Sequence, residues 1–338
     1  MKEFKIYKLH FTAPLHIGNQ QANDDVSLTT IQSDTMYAAL TACLAKMGHP
    51  IAGDGDLGVT LSSLFPYFQK EEDSTPIYFL PLPLRNKQLA FSNPSQGKAI
   101  KKVKWVDADL YDDILSGKKI FEEGDSLLKC VQASYLTRQE LPEDLTESRD
   151  FIKSEVSQRV TLKSRTGEED AKPYYVDKIL FRFQSGLYFL AEGDTATLER
   201  ALNLLASEGI GTDRNVGFGF FEYTTDTLRL NLPSHADHQM ALSMLIPESE
   251  AQLQSLLDDD DVAYDFIRRG GWITTYPYMT LRKNAVYAFT PGSVFHKAAR
   301  EECTPVGAIV NLVPNIGDST PQHPIWRCGR SLMLPIKL

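Results

Sequence analysis

Between residues 209 and 219 the chain reads Gly-Ile-Gly-Thr-Asp-Arg-Asn-Val-Gly-Phe-Gly, four glycines around Arg214 and Asn215. Glycine adopts backbone conformations closed to other residues and lets the chain lie close against a neighbour. Gly211, Gly217 and Gly219, with Arg214, Asn215 and Phe218, therefore suit a phosphodiester held by main-chain amides and a guanidinium. Helix C-caps and tight turns use the same glycines. Two well-known phosphate loops are excluded by position, because both leave a strand and open a helix. Here a helix ends and a strand begins. No Gly-Lys-Ser/Thr is present, which disfavours nucleotide hydrolysis.

Two further segments carry positive charge. From Ser74 to Val106 no acid occurs, while Arg85, Lys87, Lys98, Lys101, Lys102 and Lys104 supply six positive charges with Phe91 and Trp105 among them. Such a run is either a solvated loop or a surface that grips a polyanion and stacks its bases. In Ser157–Thr166 the order alternates, so Arg159, Thr161, Lys163 and Arg165 share one strand face and Val160 and Leu162 the other. That face is either ordinary half-exposed strand or a phosphate contact.

Other reactive residues form no catalytic set. His235-Ala-Asp-His238 has a metal-like spacing but sits in a Pro-Ser-rich linker without a third ligand, and reads as surface. Ser293 lacks a Gly-x-Ser-x-Gly elbow. Cys43, Cys130, Cys303 and Cys328 lie far apart with no CxxC pair, which suits reduced thiols in a cytoplasm and argues against zinc knuckles and redox motifs. No metal and no cofactor is expected.

These residues need elements to position them. Residues 3 to 11 alternate as a strand, followed by a turn at 13–18. Ser33 or Asp34 can cap a helix whose stripe is Met36, Leu40, Cys43, Leu44 and Met47, ended by Gly48. Pro66, Pro76, Pro81, Pro83 and Pro94 mark a loop-rich stretch. Val176–Leu190 reads as a hairpin around Gln184-Ser185-Gly186. A helix over Thr195–Ser207, capped by Asp194 or Thr195, points Leu198, Ala201, Leu202 and Leu205 inward. A strand Phe220–Tyr223 follows the glycine loop. After Thr227 the pattern restarts, with a short helix over Pro247–Leu257 and strand-like segments at 240–246, 263–269, 276–281 and 285–289.

The order is the βαββαβ pattern that RRM-type RNA binders share. The expected fold class is α+β, two ferredoxin-like (RRM-like) domains. The first, residues 1–227, carries a long basic insertion (about 74–156) and the glycine-rich loop 209–219. The second, residues 228–338, is smaller and degenerate. A length of 338 residues suits two domains. The net charge of -9, from 44 acids against 35 bases, at first discourages a nucleic-acid partner. The acids, however, cluster apart from the basic run, in Glu71-Glu72-Asp73, Glu122-Glu123, Glu168-Glu169-Asp170 and Asp258–Asp261. No apolar run is long enough to span a membrane, and the N-terminal segment lacks the features of a signal peptide, so a cytoplasmic location is expected.

A glycine-rich loop after the second helix of a ferredoxin-like unit resembles the RAMP proteins of CRISPR systems. Leu15-His16-Ile17-Gly18, Ser33-Asp34-Thr35, Arg165-Thr166-Gly167, Pro291-Gly292-Ser293-Val294-Phe295 and Arg327-Cys328-Gly329-Arg330 are similar to subunit four of the type III-A (Csm) effector complex. Thr212 departs from the pattern, standing where another glycine is expected. The resemblance implies a non-catalytic RNA-binding subunit in antiviral defence, capping the repeat-derived 5′ handle of the crRNA. It would touch the large polymerase-like signalling subunit (Csm subunit one) and the backbone subunit (Csm subunit three), which would carry the chemistry. It implies that His16 and Gly18 line the RNA, that the basic insertion with Arg85, Lys98, Lys101, Lys102, Lys104 and Trp105 forms a thumb-like hairpin, and that Arg159, Lys163, Arg165 and the glycine loop hold phosphates. Phe91, Trp105 or Phe218 would stack a base. An alternative within the superfamily is a metal-independent endoribonuclease that processes precursor crRNA with His16 as general base. A structural or RNA-contacting histidine is the other reading of His16.

Overall fold

The computed structural model describes residues 1–18, 26–51, 53–85, 101–118, 129–131, 134–141, 145, 150–160, 173–297 and 305–338. Lys87, Phe91 and Lys98 of the basic run, and Thr161, Lys163 and Arg165 of the alternating segment, lie outside them. The described residues form a mixed α+β fold with four α-helices, α1 (Ser33–Lys46), α2 (Ala108–Leu115), α3 (Thr195–Glu208) and α4 (Glu250–Leu257).

The first eleven strands are β1 (Lys2–Phe11), β2 (Val59–Leu61), β3 (Phe65–Phe68), β4 (Ile77–Pro81), β5 (Trp105–Asp107), β6 (Lys129–Val131), β7 (Tyr135–Thr137), β8 (Ile152–Val160), β9 (Pro173–Phe181), β10 (Gly186–Gly193) and β11 (Phe221–Leu230). Nine of them form one sheet in the order β11-β1-β10-β3-β4-β5-β7-β6, with β2 pairing the other half of the β10 edge. Its centre is antiparallel, Leu9 facing Leu187 on one side and Tyr223 on the other. β8 and β9 pair with each other, in register from Ile152–Phe181 to Val160–Pro173, and β9 is bridged to the turn after β1 at Leu15–Ile179. The hairpin expected over 176–190 therefore does not form. β10 spends both edges on β1 and on β2 with β3, which leaves β9 to pair backwards with β8.

The C-terminal strands are β12 (His238–Ala241), β13 (Phe266–Arg269), β14 (Val286–Phe289), β15 (Val294–His296), β16 (Ile309–Asn311), β17 (Trp326–Cys328) and β18 (Met333–Ile336). They make a three-stranded sheet β15-β12-β18 and the pairs β13-β14 and β16-β17. Residues 276–281, which alternate like a strand, are turns.

Period-two alternation explains why the large sheet is closed on both faces. Tyr7, Leu9 and Phe11 of β1 and Leu187, Phe189 and Ala191 of β10 pack with Met36, Leu40 and Leu44 of α1 and Leu198, Ala201, Leu202 and Leu205 of α3. Phe4 and Ile6, with Tyr188 and Leu190, face the other way onto Leu110 and Ile114 of α2 and onto Met240, Val294, Leu334 and Ile336 of the three-stranded sheet. An RRM reads bases on the uncovered face of its sheet. Here Tyr67, Tyr78 and Tyr188 on that face are buried, so contact with a nucleic acid is left to loops and clefts.

The two helices of the first half are fixed differently. Asp194 caps α3 as expected, its Oδ1 accepting from Ala196 N and Thr197 N at 3.1 and 3.2 Å. At α1 the cap position is Gln32, without a side-chain cap. The hydroxyl of Ser33 instead accepts from Met244 N at 2.9 Å, and Asp34 turns inward. Both candidate capping residues thus tie α1 to the C-terminal half. Of the proline-marked stretch, Pro66 and Pro81 lie in strands rather than loop, and Pro94 lies outside the described residues. β3 and β4 are buried at every position, and the expected insertion contributes β4 to β7 and α2 to the sheet and core.

Candidate nucleic-acid interface

The glycine loop closes against the turn after β1. The carbonyl of His16 accepts from Thr212 N at 3.0 Å, and Gly219 N donates to Pro14 O at 2.8 Å. Gly211 and Gly219 have φ of +98° and +76°. A Cβ at Gly211 would stand 2.4 Å from the His16 carbonyl oxygen, and one at Gly219 2.0 Å from that of Ile210. Only glycine fits either place. Asp213 takes a left-handed turn, φ +58°, into a short helical turn over Arg214–Val216. Thr212 has no positive φ, so a side chain costs nothing where another glycine was expected.

The β8–β9 hairpin is stitched to the same place. Arg159 Nη1 donates to Asp213 Oδ2 at 2.7 Å, and its guanidinium lies 4.9 Å from the centre of the Phe218 ring. Asp177 of β9 is a buried hub: Oδ2 accepts from Ser27 N at 2.8 Å, Oδ1 from Ser154 Oγ at 2.6 Å, and its carbonyl from His16 Nδ1 at 2.5 Å. Because that carbonyl only accepts, His16 Nδ1 carries the proton. The ring is 2% exposed. His16 positions the loop through both its ring and its carbonyl.

A cleft of about 690 Å³ runs from this loop along α1 to the C-terminal half. Its floor is the small-residue face of α1, Ala38, Ala39, Ala42 and Ala45, which lets a bulky chain approach the helix closely. Gly18, Gly211 and Arg214 stand at one side, and Arg269, Lys283, Arg327 and Tyr276 at the other, with Lys46 and Glu208 at the rim. Five bases and one acid line the wall, but Lys46 pairs with Glu208 at 2.5 Å and the buried Arg269 and Arg327 pair with Asp34. The net positive charge of the channel therefore rests mainly on Arg214 and Lys283. Tyr276, 83% exposed, offers the open aromatic face that Phe218, buried under Arg159, and Trp105, packed on Phe65 at 5.9 Å, do not.

Beneath the cleft Asp34 is buried between two arginines. Arg269 donates from Nε and Nη2 at 2.7 and 2.8 Å, and Arg327 from Nη1 at 2.5 Å. Burial alone would raise the Asp34 pKa, but the charges of Arg327 and Arg269 outweigh it and hold the carboxyl below its ordinary range. Half-buried Lys283 feels the opposite balance. Desolvation, reinforced by Arg327 and Arg269 and opposed by Asp34, pushes its ammonium down to about 8.

The structure brings His16, Gly18, Arg159, Gly211, Arg214, Asn215, Gly217, Phe218 and Gly219 together, and leaves Arg85, Lys101, Lys102, Lys104 and Trp105 apart from them. Lys104 immediately precedes β5, and β1, β10, β3 and β4 stand between β5 and β11, which the glycine loop enters. At ~4.8 Å per strand the separation is about 24 Å. Arg85 is paired with Asp261, so one end of the basic run is neutralised by the acidic turn 258–261. Sequence reasoning missed Lys46, Arg269, Tyr276, Lys283 and Arg327 as a group. Arg327 alone carried a signal, in the Arg-Cys-Gly-Arg segment. Among the described residues no helix is long and apolar enough to cross a membrane.

Residues 234–336 match the family described as the CRISPR Csm4 C-terminal domain. A protein named CRISPR system Cms protein Csm4 from Mycobacterium tuberculosis is 26% identical over 322 residues, 92% of this chain and 91% of the relative. Its namesake from Streptococcus thermophilus is 24% identical over 328 residues, covering 92% and 93%. Among solved structures, a chain of the Csm3-Csm4 subcomplex of the type III-A CRISPR-Cas interference complex aligns with a TM-score of 0.61 at 17% identity, covering 100% of both chains. A chain of a Csm1-Csm4 cassette in complex with pppApA aligns with a TM-score of 0.57 at 17% identity, over 100% of this chain and 99% of that one. Residues 234–336 thus match a Csm4 C-terminal domain, the chain is similar over nine-tenths of its length to proteins named Csm4, and its α+β fold is like that of Csm4 chains of known structure.

Proposed function

We propose that this chain is a non-catalytic crRNA-binding subunit of a type III-A CRISPR interference complex, holding the repeat-derived 5′ handle and joining the large polymerase-like subunit to the backbone. Solved relatives in a Csm3-Csm4 subcomplex and in Csm1-Csm4 cassettes support Csm1 and Csm3 as its partners. The observation that carries the reading is the cleft: a glycine loop too tight for any Cβ at two positions, a floor of alanines, and Arg214, Lys46, Arg269, Lys283 and Arg327 around it. Amides and cations of that kind grip a backbone without reading sequence. Tyr276 is the surface on which a splayed base stacks. The β1-α1-β2/β3 and β10-α3-β11 order, with strands arranged fourth, first, third, second, supports a ferredoxin-like unit over residues 1–227, and residues 228–338 form the second unit.

Lys101, Lys102 and Lys104 form a separate basic patch in this reading, available to a distant stretch of the same RNA. The chain needs no cofactor for such a role. An endoribonuclease based on His16 is less well supported, because that ring is buried and engaged with Asp177.

The test is titration of 5′-handle RNA with the assembled complex and the free chain across a salt series. Removing Arg214 and Lys46 together lowers the salt slope by ~0.7 for each phosphate that is no longer neutralised, for any sequence. The Lys101→Ala/Lys102→Ala/Lys104→Ala variant changes it only if that patch touches RNA. An unchanged slope in the Arg214/Lys46 variant removes the cleft from the RNA path. Cleavage of repeat RNA in chelator, abolished in His16→Ala, establishes the nuclease instead.

A further inference from the structure

The strand that carries Arg269 into the cleft turns a second face to solvent. β13 and β14 pair with Phe266 opposite Phe289 and Arg268 opposite Tyr287. The ladder runs on beyond both strands: Trp272 bridges Arg282, while Ile273 N donates to Leu281 O and Lys283 N to Gly271 O. Residues 266–289 thus make one two-stranded ribbon, closed by a turn in which Tyr278 N donates to Thr275 O. Burial alternates along it, as the period of a strand requires. Ile267 packs with Met244 and Ile246, Arg269 holds Asp34 and Ile273 is buried. Phe266, Arg268 and Trp272 between them are exposed.

We infer that this outer face is a second track for single-stranded RNA, continuous with the cleft at Tyr276; the inference rests on the cleft being an RNA site. Phe266, Trp272 and Tyr287 are 52, 53 and 61% exposed, and three large aromatics on one ribbon form a patch rather than scattered exposure. The Phe266 ring lies 5.8 Å from that of Tyr287 at 82°. The Arg282 guanidinium lies 4.6 Å from the centre of the Trp272 ring, a stacked arrangement that leaves its N–H groups to donate elsewhere.

Charge selects the occupant. Among the described residues neither Arg268 nor Arg282 takes part in an ion pair, and no acid occupies the outer positions of the ribbon. Asp265, at its far end, accepts from Phe266 N at 2.8 Å. On a chain of net charge -9, two unpaired guanidiniums set among open rings match a polyanion that carries flat groups of its own. An acidic peptide would meet the charge and leave the rings unused. A duplex would meet the charge and keep its bases stacked away from them. Geometry supplies the path: Tyr276 stands in the closing turn and lines the cleft, so a strand leaving the cleft over Tyr276 meets Trp272 and Arg282, then Arg268 and Tyr287. From Trp272 to Phe266 the ribbon offers about 20 Å at ~3.3 Å per residue.

The experiment titrates the free chain and the assembled complex with oligouridylate RNA of about six and about twelve nucleotides, both within the range of single-strand sites, across a salt series. Arg268→Gln/Arg282→Gln is expected to lower the salt slope for the longer RNA by about 1.4, at ~0.7 for each of two phosphates, and to leave the shorter RNA unaffected. Trp272→Leu weakens the longer RNA by about five- to a hundredfold, and Trp272→Phe, which keeps a ring, restores most of that loss. All these side chains are exposed, and unchanged melting temperatures verify folding. Arg214→Ala weakens both lengths, which separates the two sites. If the ribbon variants bind both RNAs like the wild-type chain, the second track is overturned, while an effect of Arg214→Ala on both lengths keeps the cleft. Ribbon variants that retain RNA affinity but release a protein subunit from the complex also overturn it, and make the face a protein docking surface.

Discussion

Arg269 holds Asp34 with two parallel hydrogen bonds, at 2.7 and 2.8 Å, across 235 residues of sequence. Arg327 adds a third. Removing one arginine strands a buried carboxylate, so Arg269→Ala or Arg327→Ala should lower unfolding stability by about 3–5 kcal/mol in urea denaturation. Arg269→Lys should not rescue it, because a point charge cannot make the paired contact. With its folded pKa depressed, Asp34 stabilises the fold above the unfolded value near 4, and that contribution disappears as pH falls through the folded value. A cost under about 1 kcal/mol in either variant would show that the triad is solvated.

Gly219→Ala and Gly211→Ala each drive a Cβ to 2.0–2.4 Å from a carbonyl oxygen at positive φ. Gly217 shares the positive φ but has nothing within 4 Å. Alanine at 217 should therefore cost only the strain of about 1 kcal/mol, and alanine at 211 or 219 clearly more, with weaker RNA binding. Equal melting temperatures for all three variants would contradict the loop geometry.

Lys283 should make RNA binding fall as pH rises. Its ammonium, pushed down to about 8, is charged at pH 7 and mostly neutral at pH 9, whereas a phosphate favours the charged form. Affinity should drop by up to about tenfold per pH unit above 8, and Lys283→Arg should flatten the curve. Stability of the free chain should move the other way, rising from pH 8 toward 10.5, because the unfolded lysine binds its proton more tightly. A flat binding curve for the wild-type chain would place Lys283 outside the contact.

Asp107 gives a second pH signature. Burial pushes its carboxyl up to about 6, against the lowering effect of the Thr137 hydroxyl and the Asp109 amide that it accepts. The native state therefore holds a proton that the unfolded chain releases, and stability should fall by about 3 kcal/mol as pH rises from about 4 through 6. Asp107→Asn should abolish that slope. Thermal melts between about pH 4 and 7 decide the point.

How much of this was legible in the sequence depended on periodicity. α1 and α3 show one apolar face each, and the stripe Leu198, Ala201, Leu202, Leu205 is buried as read. β3 and β4 are buried on both faces, so they carry no alternation, and their prolines suggest loop. The glycine loop announced itself because its residues are contiguous. The opposite cleft wall did not: Arg269, Lys283 and Arg327 are far apart in sequence, and Asp34 joins only the two arginines. Lys101, Lys102 and Lys104 stood out for the opposite reason, being adjacent in sequence yet several strands from the loop they were expected to join.

The Asp34–Arg327 pairing has a consequence for biogenesis. The two residues are separated by 293 positions, so at ~5–20 residues per second the ribosome needs about 15–60 s to deliver the second after the first. Throughout that interval α1 emerges with an acidic group that its own half cannot neutralise. The full Asp34 pairing between the two halves therefore forms only after Arg327 has been made, and the groove between them is completed only then.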